Sequence, residues 1–148
     1  MVRKIFFLAV AVGLLGSLIV VMPMDIVFLL PDADRYYVYC RSYDGEAMDN
    51  GIAKVVQVTD DVAQVLYSAR YVDGVTAVLP SDTDVGRLLT KLRANVLSTS
   101  KCGDIVEYCC YSPVVRGGVT VDGQTVNVQI AVTDVGVYVG VPLLLGAY

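Results

Sequence analysis

The chemistry open to this chain is limited by the side chains that it lacks. Its 148 residues include no His and no Trp, but they include 15 Asp and Glu, ten Tyr and four Cys. Without imidazole, the Ser-His-Asp and Cys-His arrangements of nucleophilic catalysis and the common His-containing zinc sites are excluded. Any catalysis would therefore depend on carboxylates, Lys, Tyr or Cys.

Two short motifs have the spacing of known sites. Asp82 and Asp84 could ligate a hard cation, but they begin a predicted helix, where carboxylates commonly cap the first N–H groups. Ser98 and Lys101 match the S-x-x-K pattern of serine enzymes that react with penicillin, yet they lie in a strand-like stretch without the further motifs of those enzymes. The sequence therefore predicts no catalytic residue, no cofactor and no metal ligand.

One acidic residue supports an alternative. Glu107 lies between Val106 and Tyr108 in an apolar stretch, where burial would raise the pKa of its carboxyl group. Together with Tyr108 or Tyr111 it would suit a small-ligand-binding protein or an enzyme acting outside the cell. A strand edge that faces water is the simpler interpretation.

The four cysteines are Cys40, Cys102, Cys109 and Cys110. An even number outside the cytoplasm permits disulfides, but adjacent cysteines on a strand point to opposite faces. The candidate disulfide is one long-range bridge that involves Cys40 or Cys102. The alternative is that all four are small, partly buried apolar side chains.

Residues 5–22 form an uncharged apolar run with one polar side chain, Ser17. As a helix this run would cover roughly 27 Å of the ~30 Å hydrocarbon core of a bilayer. Arg3 and Lys4 precede it and Asp25 follows it, which favours a cytoplasmic amino terminus. We therefore expect residues 1–31 to be a single-pass membrane anchor, or a signal peptide, and residues 32–148 to form one extracytoplasmic domain.

The net charge of the chain is −4, and no basic stripe interrupts its acidic character. Nucleic-acid binding depends on clustered Lys and Arg side chains that neutralise phosphates. Nucleic acid is therefore not an expected partner.

The pattern of the remaining chain indicates an α+β domain. Val-rich and alternating stretches predict strands at 35–41, 75–79, 95–99, 105–111, 126–132 and 137–141, with a hairpin turn at Asp122-Gly123. Helical spacing predicts a helix after Ser81, and either a helix over 52–70 or a strand over 53–58 followed by a short helix from Asp60. The predicted fold is an antiparallel sheet with about two helices packed on one face, preceded by one N-terminal transmembrane helix.

Polar side chains share one face of the predicted strand 126–132. Asn127 and Gln129, with Thr133 just beyond, alternate with Val and Ile. This face is a candidate interaction surface for another envelope protein or for self-association. We expect a non-enzymatic role.

The C-terminal segment resembles the YwmB family of Firmicutes. The resemblance is carried by residues 126–132, by residues 137–142 with Gly140 and Pro142, and by the terminal Tyr148. It implies a small extracytoplasmic domain likened in fold to the TATA-box-binding protein, with a role in the cell envelope or in sporulation. It adds Gly140, Pro142 and Tyr148 to the candidate interaction surface.

Overall fold

The computed structural model describes residues 24–145, and the apolar segment 5–22 and Tyr148 lie outside the described residues. None of the helices formed by residues 24–145 is long and apolar enough to cross a membrane. The fold described below therefore contains no transmembrane helix.

Ten strands form in the described chain: β1 (Arg35–Ser42), β2 (Met48–Asp49), β3 (Lys54–Val58), β4 (Arg70–Leu79), β5 (Asn95–Cys102), β6 (Ile105–Tyr111), β7 (Val119–Val121), β8 (Gln124–Val126), β9 (Val128–Val132) and β10 (Val137–Val141). Eight of them build one sheet in the order β2-β3-β1-β4-β10-β9-β6-β5, in which neighbours are antiparallel. Strands β7 and β8 pair with each other in a separate hairpin. The N-terminal and C-terminal halves of the sheet meet where β4 pairs with β10.

Three short helices cover one face of the sheet: α1 (Met24–Leu29), α2 (Val62–Ser68) and α3 (Val85–Lys91). Ile26, Leu66 and Leu88 of these helices are buried in the same cluster as Ile130 and Val139 of the central strands. The period-two alternation of β9 and β10 places every second Val or Ile on this side. It is called the helix-covered face, and the opposite side is called the second face.

The predicted fold class was wrong in its balance of helix and strand, and no transmembrane helix is found among residues 24–145, whereas the segment expected to form it lies outside the described residues. We expected an α+β domain with about two packed helices behind a transmembrane helix, whereas 46% of the described residues are in strands and 16% are in three helices. Much of the difference lies in residues 52–70. Val55, Val56 and Val58 pair with β1 as a strand, and the helix begins only at Val62. Their β-branched side chains fit a pleated sheet better than a helix, so the second of the two alternatives is the correct one.

An ion pair fastens α1 to a distant part of the chain. The Asp25 carboxylate accepts hydrogen bonds from the Arg116 backbone N–H at 2.9 Å and from its Nε and Nη2 at 3.2 and 3.0 Å. These bonds lower the pKa of Asp25, chiefly through the Arg116 side chain. The loop before β7 is thereby joined to the first helix.

We expect Asp25→Asn to lower the melting temperature by roughly 2–4 °C at pH 7. Because the folded-state pKa of Asp25 lies below its usual 3.8, its contribution is present above about pH 4 and is lost as the pH falls through the folded value. Thermal unfolding of the wild type and the variant should therefore converge once the pH is below the folded-state pKa of Asp25. A difference that persists there would show that the carboxylate charge is not the cause.

Candidate interaction surface

The polar face predicted as an interaction surface is inside the protein. Asn127 is completely buried, Gln129 is 3% exposed and Thr133 is 9% exposed. Gly140 and Pro142 are buried as well, and Tyr148 lies outside the described residues. A partner could not contact the five described residues without displacing other parts of the chain.

Asn127 holds the loop between β6 and β7. Its Oδ1 accepts from the backbone N–H of Ser112 at 2.7 Å, and its Nδ2 donates to the carbonyl oxygens of Ser112 and Val115, each at 2.7 Å. The Ser112 hydroxyl donates to the carbonyl oxygen of Leu92 at 2.6 Å. The buried amide thus ties this loop to the junction between β8 and β9, while Ser112 ties it to the end of α3.

Gln129 and Gly140 hold the C-terminal segment against the second face. After the cis peptide bond before Pro142 the chain turns back, and Gln129 Oε1 accepts from the backbone N–H of Leu144 at 3.0 Å. A Cβ atom on Gly140 would lie 2.6 Å from the backbone atoms C of Leu143 and N of Leu144. Only glycine lets the segment come this close, and Leu143 and Leu144 are buried as a result.

Thr133 stabilises the turn between β9 and β10. Its hydroxyl oxygen accepts from the backbone N–H groups of Val135 and Gly136, at 3.2 and 3.1 Å, and donates to the carbonyl oxygen of Gly136 at 3.0 Å. The local turn motif accounts for Thr133 at this position, and no binding partner is needed to explain it.

Glu107 is buried on the second face, at 5% exposure. Burial raises the pKa of its carboxyl group, and the Ser100 hydroxyl, 3.4 Å away, opposes this shift. Tyr108 points to the helix-covered face, and Tyr111 is four residues further along the strand, roughly 13 Å away. The fold therefore does not bring either tyrosine to the carboxyl group as the alternative function requires.

The two short motifs do not form sites either. The Asp84 carboxylate accepts from the Arg87 backbone N–H at 3.0 Å and caps α3. Ser98 and Lys101 are three positions apart on one strand, so their side chains point to opposite faces. Among residues 24–145, no group of three or more His, Cys, Asp or Glu side chains could hold a metal ion.

All four cysteines are free. Cys40 is buried in β1 and Cys102 is exposed at the end of β5, five strand spacings away, or roughly 24 Å. A disulfide needs Cα atoms within about 7 Å, so Cys40 and Cys102 cannot bridge each other in this fold, and neither forms the predicted long-range bridge with another cysteine. Cys110 lies in the core, where burial raises its thiol pKa to about 11.

A cavity of about 350 Å³ lies between α1 and the start of α2. Its lining includes Pro31, Tyr36, Asp60 and Asp61. The Tyr36 hydroxyl donates to the carbonyl oxygen of Leu30, and the Asp61 carboxylate accepts from the backbone N–H of Gln64 at 3.4 Å. These polar groups serve the fold, so the cavity lacks a set of groups directed at a ligand.

The surface with the clearest binding capacity is the free side of β5. Within the described chain this strand pairs only with β6 and forms one edge of the sheet. Six of its eight residues are exposed, and its sequence, NVLSTSKC, holds one charge and no Pro. An edge strand presents unpaired N–H and C=O groups on its outer side, which are a template for another strand.

The two edges of the sheet differ in protection. The opposite edge, β2, has only two residues, one of them Asp49. Proteins usually shield edges by such shortness, by charges, by Pro or by bulges. The only such features of β5 are Lys101 and a bulge between Val96 and Ser98, near one end. Ser98 to Cys102 is therefore a regular, weakly shielded segment.

Sequence reasoning predicted a strand at 95–99 but not its position. Strand β6 pairs with β9, and β10 pairs with β4, so the order of the sheet is set by residues far apart in the chain. This long-range pairing is what leaves β5 at the edge. The low charge and the Ser and Thr content of β5 were the available signals, and they are too common to identify a surface.

The resemblance to the YwmB family rests on the C-terminal segment and stays a prediction. Comparisons of the chain with protein-family models, with curated proteins and with solved structures give no match.

Proposed function

We propose that this chain is a non-enzymatic interaction domain of the bacterial cell envelope, and that it binds an extended polypeptide segment as an added strand along β5. The observation that carries the proposal is the edge of β5, which is unpaired within residues 24–145, exposed at six of its eight residues and weakly shielded. Strand addition to a free edge is a recurring mode of peptide recognition.

The chemistry of β5 suits an added strand. Backbone hydrogen bonds would supply the affinity, at about 0.5–1.5 kcal/mol net for each bond. Ser98 and Ser100 lie on the second face and Thr99 on the helix-covered face, according to their pairing with β6. These side chains are small, so they leave room for larger side chains of a bound segment on both faces.

The proposed location rests on the sequence. The basic residues before the apolar segment 5–22 and the acidic residues after it support a domain outside the cytoplasmic membrane. Externally added protease should then cleave the domain in cells without an outer barrier. Protection from the protease in such cells would contradict the location.

A photo-cross-linking residue at Thr99 should give discrete polypeptide adducts in intact cells. The same residue at Gln124, which is exposed on the separate hairpin, is the matched control and should give few adducts.

The double variant Ser98→Lys, Thr99→Lys places a charge on each face of β5 and should abolish partner binding, detected by a cross-linker at Ser100. The control double variant, Thr120→Lys with Gln124→Lys, adds the same charge to the separate hairpin and should leave partner binding intact. Equal adducts at Thr99 and Gln124 would contradict binding along β5.

A further inference from the structure

We infer that the segment added to β5 is the β5 strand of a second copy of this chain, antiparallel and related by a two-fold axis beside Thr99. The inference rests on the proposed function, because it names the partner of the same edge. It predicts a symmetric dimer with one continuous sheet of sixteen strands.

Symmetry restricts how two such edges can meet. An antiparallel pair of identical edges needs a two-fold axis perpendicular to the sheet, so that the helix-covered faces of both copies lie on the same side. Directly opposed residues must then point to the same face. Successive allowed registers therefore differ from one another by two positions, and in each of them the axis lies beside a residue.

The bulge changes the count along the strand. Val96 pairs with Cys110 and Ser98 with Cys109, so Val96 occupies the position directly before Ser98, and Leu97 is the extra residue. With the axis beside Thr99, Ser98 lies opposite Ser100 of the second copy. By the same count, Val96 lies opposite Lys101 and Asn95 lies opposite Cys102.

This register pairs the charges that flank the strand. Arg93 precedes β5 by two positions and Asp104 follows it by two, and both are exposed. Arg93 and Asp104 lie in the turns at the two ends of β5, so antiparallel pairing about Thr99 brings the turn that holds Arg93 in each copy beside the turn that holds Asp104 in the other and allows two ion pairs. An axis beside Lys101 would oppose two Lys side chains, and an axis at an intermediate allowed position would leave these charges unpaired.

The same register accounts for an exposed apolar residue. The side chain of Val96 is large, apolar and 42% exposed at the edge. Lys101 of the second copy would lie across it, and the methylene groups of a Lys side chain cover apolar surface while the ammonium group stays in water. The dimer would therefore remove Val96 from solvent without burying a charge.

Disulfide trapping tests the register. The full chain, in a non-ionic detergent, carries Cys102→Ser to remove the exposed native thiol, and the added variant Thr99→Cys should form a disulfide-linked dimer under mild oxidation. Directly opposed Cα atoms are about 4.5–5.5 Å apart, within the range of a disulfide. Ser98→Cys and Ser100→Cys are the matched controls, and all three variants also carry Cys109→Ser, because Ser98 pairs with Cys109 and a thiol at position 98 would be within disulfide range of it in the same chain.

Each control alone should cross-link several-fold less, because identical residues there are about 7–8 Å apart on the diagonal. An equal mixture of the two controls should cross-link about half as much as Thr99→Cys, because only half of its dimers contain one copy of each variant. A control that cross-links with itself more readily than Thr99→Cys would overturn the register. If the protein stays monomeric at every concentration, the inference that a second copy binds β5 is wrong.

Charge reversal provides an independent readout. Arg93→Glu should weaken dimerisation by about tenfold in analytical ultracentrifugation, since two symmetric ion pairs become repulsive. Adding Asp104→Arg should restore the affinity, and no restoration would contradict the pairing. If photo-cross-links at Thr99 lead only to another polypeptide, the self-pairing fails but the proposed function stands; if Thr99 gives no polypeptide adducts, both fail.

Discussion

Gly140→Ala is expected to lower the free energy of unfolding by about 3 kcal/mol. The new methyl group would lie 2.6 Å from the backbone of Leu143 and Leu144, and backbone atoms cannot move aside as a flexible side chain can. The C-terminal segment would have to lift from the second face. It would lose the burial of both leucines and the hydrogen bond from Leu144 to Gln129.

Chemical denaturation measures the loss, and hydrogen exchange locates it. The Leu144 amide should exchange much faster in Gly140→Ala than in the wild type, because its acceptor is the Gln129 side chain. Gly86→Ala, in the first turn of α3, is the control and should change stability by less than about 1 kcal/mol, because its Cβ would lie 3.2 Å from Asp84 Oδ1, a side-chain atom that can move, and because glycine is a poor helix residue. A change below 0.5 kcal/mol in Gly140→Ala would contradict close packing of the segment on β10.

Local signals in the sequence predicted local structure well. The dipeptide Asp122-Gly123 forms the expected hairpin turn, with φ of 49° and 79°, because this turn requires positive φ at both central positions. The strand expected over 35–41 is observed as β1. In both cases neighbouring residues determine the outcome.

Features that depend on distant contacts were not predictable in the same way. Alternation correctly separated Gln129 from Val128 and Ile130, but a polar side chain that bonds a buried backbone group has the same pattern as one that faces water. The glycine-x-proline turn at Gly140 and Pro142 gave no sign that the chain would fold back over the sheet. Likewise, the low charge and the Ser and Thr content of β5 are too common to indicate that its outer side is unpaired in the described part of the chain.

Asn127→Ala is also expected to cost about 3 kcal/mol, for a different reason. The substitution removes no large apolar group, but it leaves the N–H of Ser112 and the carbonyl oxygen of Val115 without their partner in a buried location, and it leaves the carbonyl oxygen of Ser112 with only a 3.4 Å bond from the Val115 N–H. Each buried polar group that is left unsatisfied costs about 1–3 kcal/mol. Some of these groups can move to form hydrogen bonds with water, which keeps the expected total near the cost of one or two groups. Gln57→Ala, at an exposed position of β3, is the control and should change stability by less than 0.5 kcal/mol.

Asn127→Asp separates the hydrogen bonds from the shape of the side chain. The carboxylate keeps the bond from the Ser112 N–H, but its second oxygen would face the carbonyl oxygens of Ser112 and Val115. At pH 7 this variant should be at least as unstable as Asn127→Ala. Because burial beside two carbonyl oxygens favours the protonated carboxyl, which can donate, its stability relative to wild type should rise as the pH falls. A relative stability that does not change with pH in denaturation would show that Asn127 does not hold the loop through its amide donor.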